Sequence, residues 1–522
     1  MKFVKLALVL AMALCLTASV YAETQSVKVS GDLTVRGIWR GAYDYRGGNP
    51  IDNMATVTRT GLSSDNPGML NAAVVTGSNQ PASPQSWFMS TAEVQVDADL
   101  TDNVATCIRI LNERDWNRTS KAIIQGTTLA PNGLGGYTPD AEDFNVQLDL
   151  AYVKLKNFIY CPLTVTIGRQ DLWFGKGFIV GSNQVFNNYA NVNGINSFQL
   201  AAPEYTAQTA FDSVKAVLDY DPWAITAVYS KLWENAIAAD DDIDLWGVNV
   251  GYKFDNYKAE AEAYWFFKMD HNMETWATND GGRNNDVHAI GLRGSFDPID
   301  TVTVAGEGAY QFGSYSANRN DPYERARSAF ALDFSAEWRG LMDKCAWKPK
   351  VAVEYIVYSG DKYMEINGGN AQQMGTYTGW DPMFRGKFDS AIREFVGTYY
   401  ASYDYPVSNT LRNSCQDASF TNQNQIMFSG TVTPIESLTL KGNMNLFMTY
   451  NDYMIPDPAI PGRAFFRGGY IGTEFDGQAI WDYTEDVSFG VLYAFFVPSG
   501  DIYYGGNNDV ATDFVGTVKV SF

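Results

Sequence analysis

From Ser26 onward the chain alternates with a period of two. Val27, Val29, Gly31, Leu33, Val35, Gly37, Trp39, Gly41 and Tyr43 share one face, while Lys28, Ser30, Asp32, Thr34, Arg36 and Arg40 share the other. Only an extended strand with one apolar and one polar face sorts residues this way. The pattern returns at 88–100, where Ala92, Val94, Val96, Ala98 and Leu100 oppose Glu93, Gln95, Asp97 and Asp99, and after Thr101 to Asn103 the chain runs back through 104–113. A connection this short makes the two strands antiparallel neighbours. Further strands are predicted near 145–156, 163–173, 212–220, 223–233, 244–254, 257–268, 287–296, 301–312, 326–338, 350–358, 424–433, 438–450, 471–483, 487–496 and 513–522, which makes eighteen.

The connections alternate between two kinds. One kind is short: 101–103, 221–222, 255–256, 297–300, 434–437 and 484–486. The other is mostly long and polar: 44–86, 114–144, 174–211, 269–286, 359–423, 451–470 and 497–512. An outer-membrane barrel has short periplasmic turns and long external loops, whereas a soluble sandwich has no reason to sort its loops by end. The expected fold is all-β, a single antiparallel up-and-down transmembrane barrel spanning 23–522.

Composition narrows the partners. The 38 Lys and Arg stand against 59 Asp and Glu, a net charge of -21 that disfavours nucleic acid. The longest apolar run, Leu6 to Leu16, falls short of the ~18–20 residues of a spanning helix. With Lys2 and Lys5 before it and Val20 to Ala22 after it, this run reads as a secretory signal over 1–22, and its removal leaves 36 bases against 59 acids, 36 − 59 = -23. Cys15 lies within the signal, and Cys107, Cys161, Cys345 and Cys415 are too widely spaced for a zinc site or disulfide framework. His271 and His288 are the two histidines, and no P-loop, dinucleotide fingerprint or haem-attachment motif is present, so no cofactor, metal or catalytic residue is expected. Asp240, Asp241, Asp242 and Asp244 could hold a divalent cation or form a solvated loop.

Barrel size sets the direction of the faces. About eight strands can be filled with side chains, but sixteen to eighteen enclose water, so the charged face lines the lumen and the apolar face meets lipid. Trp39, Trp223, Trp246, Tyr252, Phe254, Trp265, Phe267, Phe312, Trp338, Tyr355, Trp481 and Tyr483 then form interfacial girdles near strand ends. Outer-membrane lipid and lipopolysaccharide are the expected surroundings. The last strand alternates up to Phe522, similar to the signal read by the barrel-assembly machinery.

Several stretches resemble the alginate-export porin family. They are the run from Asp97 to Arg109, LDLAY from Leu148 to Tyr152, PLTVTIGRQ from Pro162 to Gln170, Ala210 to Asp212, Ser359 to Asp361 before GWDPMF from Gly379 to Phe384, and GTEFD from Gly472 to Asp476. The resemblance spans nearly the whole mature chain. It implies an eighteen-stranded monomeric outer-membrane channel that passes anionic polysaccharide or small hydrophilic solutes by diffusion. The family's pore is rich in arginine, with loops and a periplasmic turn restricting access. Arg109, Arg169, Glu474 and Asp476 match family motifs, and a bulge at Gly168 would turn Arg169 into the lumen.

The sequence departs from that pattern where the solute is chosen. The polar face carries nine bases, Arg36, Arg40, Arg109, Lys215, Lys253, Lys258, Arg293, Lys441 and Lys519. Twelve acids oppose them: Glu93, Asp97, Glu113, Asp149, Glu260, Glu262, Glu307, Asp333, Glu337, Glu354, Glu474 and Asp476. A dedicated polyanion conduit needs one dominant sign, because a ring of charge favours its opposite. The mixed signs point to a general or cation-tolerant porin, or to a solvated face whose charges pair across strands. Two other readings stay open. A barrel hydrolase would use His288 with Ser314 or Ser316 at the external end of the next strand. A structural or adhesive surface protein would act through loops 44–86 and 359–423, where the aromatic stretch Phe395 to Tyr405 either folds inward or projects.

Overall fold

The computed structural model describes residues 26–42, 57–58, 74–75, 85–116, 146–183, 202–234, 242–255, 258–271, 285–315, 325–341, 344–361, 365–367, 370–372, 375–394, 420–456, 464–499 and 509–522. Eighteen strands form one sheet: β1 (Ser26–Gly41), β2 (Gln85–Thr101), β3 (Val104–Asp115), β4 (Gln147–Leu155), β5 (Leu163–Gln170), β6 (Phe211–Tyr220), β7 (Trp223–Trp233), β8 (Ile243–Phe254), β9 (Ala259–Asp270), β10 (Val287–Ile299), β11 (Val302–Tyr315), β12 (Arg325–Trp338), β13 (Lys350–Tyr358), β14 (Gln423–Ile435), β15 (Leu438–Thr449), β16 (Tyr470–Asp482), β17 (Val487–Pro498) and β18 (Ala511–Ser521). Each strand pairs antiparallel with its neighbours in sequence. β18 pairs with β1 from Asp32↔Ser521 to Gly41↔Thr512, which closes the barrel and leaves no sheet edge.

Closure sorts the two faces as the alternation predicts. On β1, Val29 and Leu33 are 57% and 43% exposed, while Thr34 and Ile38 on the other phase are 7% and 2% exposed. The exposed phase is the outer wall, where apolar side chains meet hydrocarbon. Aromatics collect there near the strand ends, as in Trp223 against Tyr252 at 4.6 Å and Trp481 against Phe489 at 5.7 Å. His288 belongs to this wall. Its ring stacks on Phe267 at 4.2 Å and Phe312 at 4.9 Å.

Short turns are closed by side chains that replace missing backbone partners. Thr101 Oγ1 accepts the Asn103 N–H at 3.3 Å, and Thr484 Oγ1 accepts the N–H groups of Asp486 and Val487 at 3.3 and 3.0 Å. At the seam, Phe522 and Gly31 exchange two backbone hydrogen bonds of 2.9 Å, and a Cβ on Gly31 would lie 2.6 Å from the Phe522 ring. The terminal aromatic therefore covers a glycine on the first strand.

Two sequence expectations need correction. The register through Gly168 is unbroken on both sides, so no bulge exists there. Arg169 keeps the phase of exposed Ile167 and pairs with Asp212, itself 65% exposed, at 3.2 Å. The bulge falls instead on β4, where Arg109 opposes Leu150 but Ile110 opposes Leu148, and the extra residue is Asp149. Gly168 answers a different need: its φ is +124°, and a Cβ there would lie 2.2 Å from the Ala151 carbonyl oxygen. Lys258, expected on a strand, sits before β9 with φ 47° and pairs with Asp300 across the rim at 2.8 Å.

Candidate functional site in the barrel interior

Two segments fold into the barrel and pair with each other. The first, 171–183, follows β5, and the second, 375–394, lies between β13 and β14. Phe384 donates its N–H to Ile179 O at 3.0 Å, Gly181 donates to Phe384 O at 2.8 Å, and Gly386 donates to Gly177 O at 2.9 Å. The segments cross at glycines: a Cβ on Gly386 would lie 2.6 Å from Gly181 Cα. Only backbone fits at that approach.

Burial of apolar side chains seats the pair. Phe178, Ile179, Val180, Trp380, Met383 and Phe384 are each at most 2% exposed, against an inner wall that includes Ala289, Ala309, Ala329 and Ala331. Small residues on these strands leave room for the rings. Each such large side chain contributes about 1.5–3 kcal/mol. Phe211 meets Phe384 edge-on at 5.8 Å, and Phe178 stacks on Tyr358 at 5.9 Å.

Polar clamps then fix the depth. Lys268 Nζ donates to both Asp381 oxygens at 2.9 and 2.7 Å, and Gln311 brackets the Asp381 backbone, donating to its carbonyl at 2.7 Å and accepting its N–H at 2.9 Å. The ammonium of Lys268 and the guanidinium of Arg327 hold the Asp381 carboxyl below its ordinary range although burial alone would raise it. Arg327 donates to Gly379 O at 3.1 Å, and Arg325 pairs with Asp361 at 2.8 Å. Both guanidiniums lie over Tyr377, at 5.2 and 4.9 Å. Arg385 pairs with Asp389 at 2.7 Å among Phe178, Tyr358 and Phe420. At the far end, Glu474 accepts the N–H groups of Ile392 and Arg393 at 2.8 and 2.7 Å.

The remaining charges gather in mixed centres. Arg109 reaches Asp149 at 2.5 Å, and Glu93 and Asp171 at 3.7 Å each. Arg293 holds Glu260 at 2.8 Å and Glu262 at 2.5 Å. Lys176 and Lys387 share Glu354 at 3.6 and 2.9 Å; Lys176 also nears Asp333 at 3.9 Å, and Lys387 binds Asp389 at 2.6 Å. Asp389 and Glu354 hold the Lys387 ammonium above its ordinary range against the pull of burial.

The other expected residues have their own partners. Glu113 accepts from Thr206 Oγ1 at 2.6 Å, Ala207 N at 2.7 Å and Gln208 Nε2 at 3.3 Å. Arg40 pairs with Glu204, and Arg36 lies over Tyr205 at 5.0 Å. Glu307 accepts from Tyr264 at 2.8 Å, Asp476 from Asn445 at 3.4 Å, and Glu337 faces Arg339 at 3.6 Å. Lys215 keeps the phase of buried Ser213, Lys253 and Lys441 are exposed, and Lys519 faces Asp32 at 3.4 Å. Asp242 and Asp244 pair with Lys231 at 2.8 and 3.5 Å, and the described residues contain no group of three or more metal-ligating side chains. Asp240, Asp241, Ser316, Cys15, Cys415, the signal segment 1–22 and the stretch Phe395 to Tyr405 lie outside the described residues. Sequence reading missed Lys268, Arg325 and Arg327, whose strand-end positions continue the inward phase, and the loop residues Asp171, Lys176, Asp381, Arg385, Lys387 and Asp389.

A closed eighteen-stranded barrel with inward loops is a channel architecture, and the family model described as "Alginate export" matches residues 78–516 of this chain. The chain belongs to the alginate-export family. This alginate-export family member is accordingly a porin-type channel of the outer membrane, a non-enzymatic transporter of solutes. Among solved structures, Pseudomonas aeruginosa OccK9 (OpdG) is similar at 9% identity, over 96% of this chain and 99% of that one, with a TM-score of 0.48. Acinetobacter baumannii OccAB1 is similar at 10% identity, over 97% of this chain and 99% of that one, with a TM-score of 0.49. Comparison with curated proteins gave no match.

Proposed function

We propose that this channel passes small hydrophilic solutes by passive diffusion and favours cations over the anionic polysaccharide that its family name suggests. One observation carries the reading: carboxylates outnumber cations in the mixed centres. Arg109, Arg293, Lys176, Lys387 and Arg385 are five cations, and Glu93, Asp149, Asp171, Glu260, Glu262, Asp333, Glu354 and Asp389 are eight acids. A polyanion moving past them meets paired cations and an excess of its own sign. The pore-lining roles of Arg36, Arg109, Lys215, Glu260, Glu262, Arg293, Asp333 and Glu354 belong to this proposal. So do a signal segment removed after Ala22, a monomeric barrel and delivery by the assembly machinery through the Phe522 strand. Planar-bilayer reversal potentials under a KCl gradient test the selectivity. The expected sign is that of K+ preference, and clear Cl− preference would return the channel to polyanion export.

A further inference from the structure

Trp173 belongs to the inward segment 171–183, yet it is 55% exposed, whereas Leu172, Phe178, Ile179 and Val180 of the same segment are at most 2% exposed. Its place is built. Cβ atoms on Gly177, Gly181 and Gly386 would lie 2.6, 2.9 and 2.7 Å from its ring atoms, so the indole lies on a floor of three glycines contributed by both inward segments. Any side chain at those positions would lift the ring. Its Nε1–H is spent on Gly175 O at 3.0 Å. What the ring presents to the barrel interior is therefore flat apolar π surface, held rigid, with its one polar group already satisfied.

What sets Trp173 apart from other exposed aromatics is this floor, which holds one ring face against backbone and leaves the opposite face open. Lipid lies on the other face of the wall. The same segment carries Asp171, which accepts from Thr209 and faces Arg109 but keeps a 50% exposed side chain, and Lys176, which donates to Ser335 and keeps a 26% exposed one, so polar surface remains open on both sides of Trp173 in the chain. A sugar ring matches this combination: its C–H face covers an indole, and its hydroxyls both donate and accept hydrogen bonds. We propose that Trp173 is a stacking platform that retains the pyranose ring of a saccharide passing through the channel, and so is a specificity-determining residue. The proposal rests on the reading of the chain as a diffusion channel and assigns to it a residue that contacts the solute.

The test uses the full-length protein in planar bilayers with maltohexaose, a neutral oligosaccharide that separates stacking from charge. Wild type should show transient interruptions of the ion current, and their dwell time should fall about tenfold in Trp173→Ala, the scale of one lost aromatic stacking contact. Trp173→Leu, which keeps an apolar cover over the glycines, should lose the dwell equally, while Trp173→Tyr should retain most of it. Interruptions unchanged in Trp173→Leu would overturn the assignment. So would an ion current without any saccharide interruptions, an outcome that leaves the channel reading standing. Block by tetramethylammonium but not by maltohexaose would assign the plate to organic cations and also overturn it. A wild-type protein that carries no current would remove both readings together.

Discussion

Asp381 concentrates the attachment of segment 375–394 on one carboxylate. It receives Lys268 twice, lies 3.9 Å from Arg327, and accepts the N–H of Met383 two residues along at 2.7 Å. Removing one partner of a buried pair strands the other charge, at about 3–5 kcal/mol. Asp381→Asn should therefore unseat the segment while the closed sheet persists: single-channel conductance rises, and the barrel still migrates as a folded band on unheated gels. Unchanged conductance would mean that apolar burial alone holds the segment. The pH dependence follows from the direction of the shift. A carboxyl held below its ordinary range contributes stability that is fully present above that range and is lost only as pH falls through the lowered value. Mild acidification should leave the segment seated.

The crossing of the two inward segments is a property of elements, because neither glycine matters without the other strand of backbone. Gly386→Val places a branched side chain where a Cβ alone would lie 2.6 Å from Gly181 Cα. Overpacking of this kind costs about 1–3 kcal/mol. The segments should part and the conductance increase, with the strands unaffected; a conductance equal to wild type would show that the backbone can yield at the crossing. This level also marks where sequence reading stops. The strands are legible because lipid outside and water inside impose period two on every one of them, so each segment repeats the same information. Even the inward phase of Lys268, Arg325 and Arg327 is written in that alternation. The seating of the loops is not, because Lys268 and Asp381 are 113 residues apart and no local pattern links them. Nor does alternation locate a bulge: the glycine at 168 suggests one there, and the backbone places it at Asp149.

For the whole molecule, the net charge of -21 matters less than where its excess meets the solute. In the mixed centres five cations stand against eight carboxylates, an excess of three acidic groups. Charges in contact with water are screened over about 10 Å at 0.1 M salt and about 3 Å at 1 M. If these centres set the selectivity, the K+/Cl− permeability ratio should be largest at 0.1 M and decline toward one at 1 M. Asp171 and Glu260 are the more exposed members, with side chains 50% and 43% accessible. Asp171→Asn with Glu260→Gln removes two of the three excess acidic groups and should bring the ratio at 0.1 M close to its 1 M value. Arg109 and Arg293 keep their other carboxylates in that variant, so the fold and the seated segments are preserved and only the field changes. A ratio that ignores both salt and this double substitution would place the selectivity elsewhere in the channel and detach it from the mixed centres.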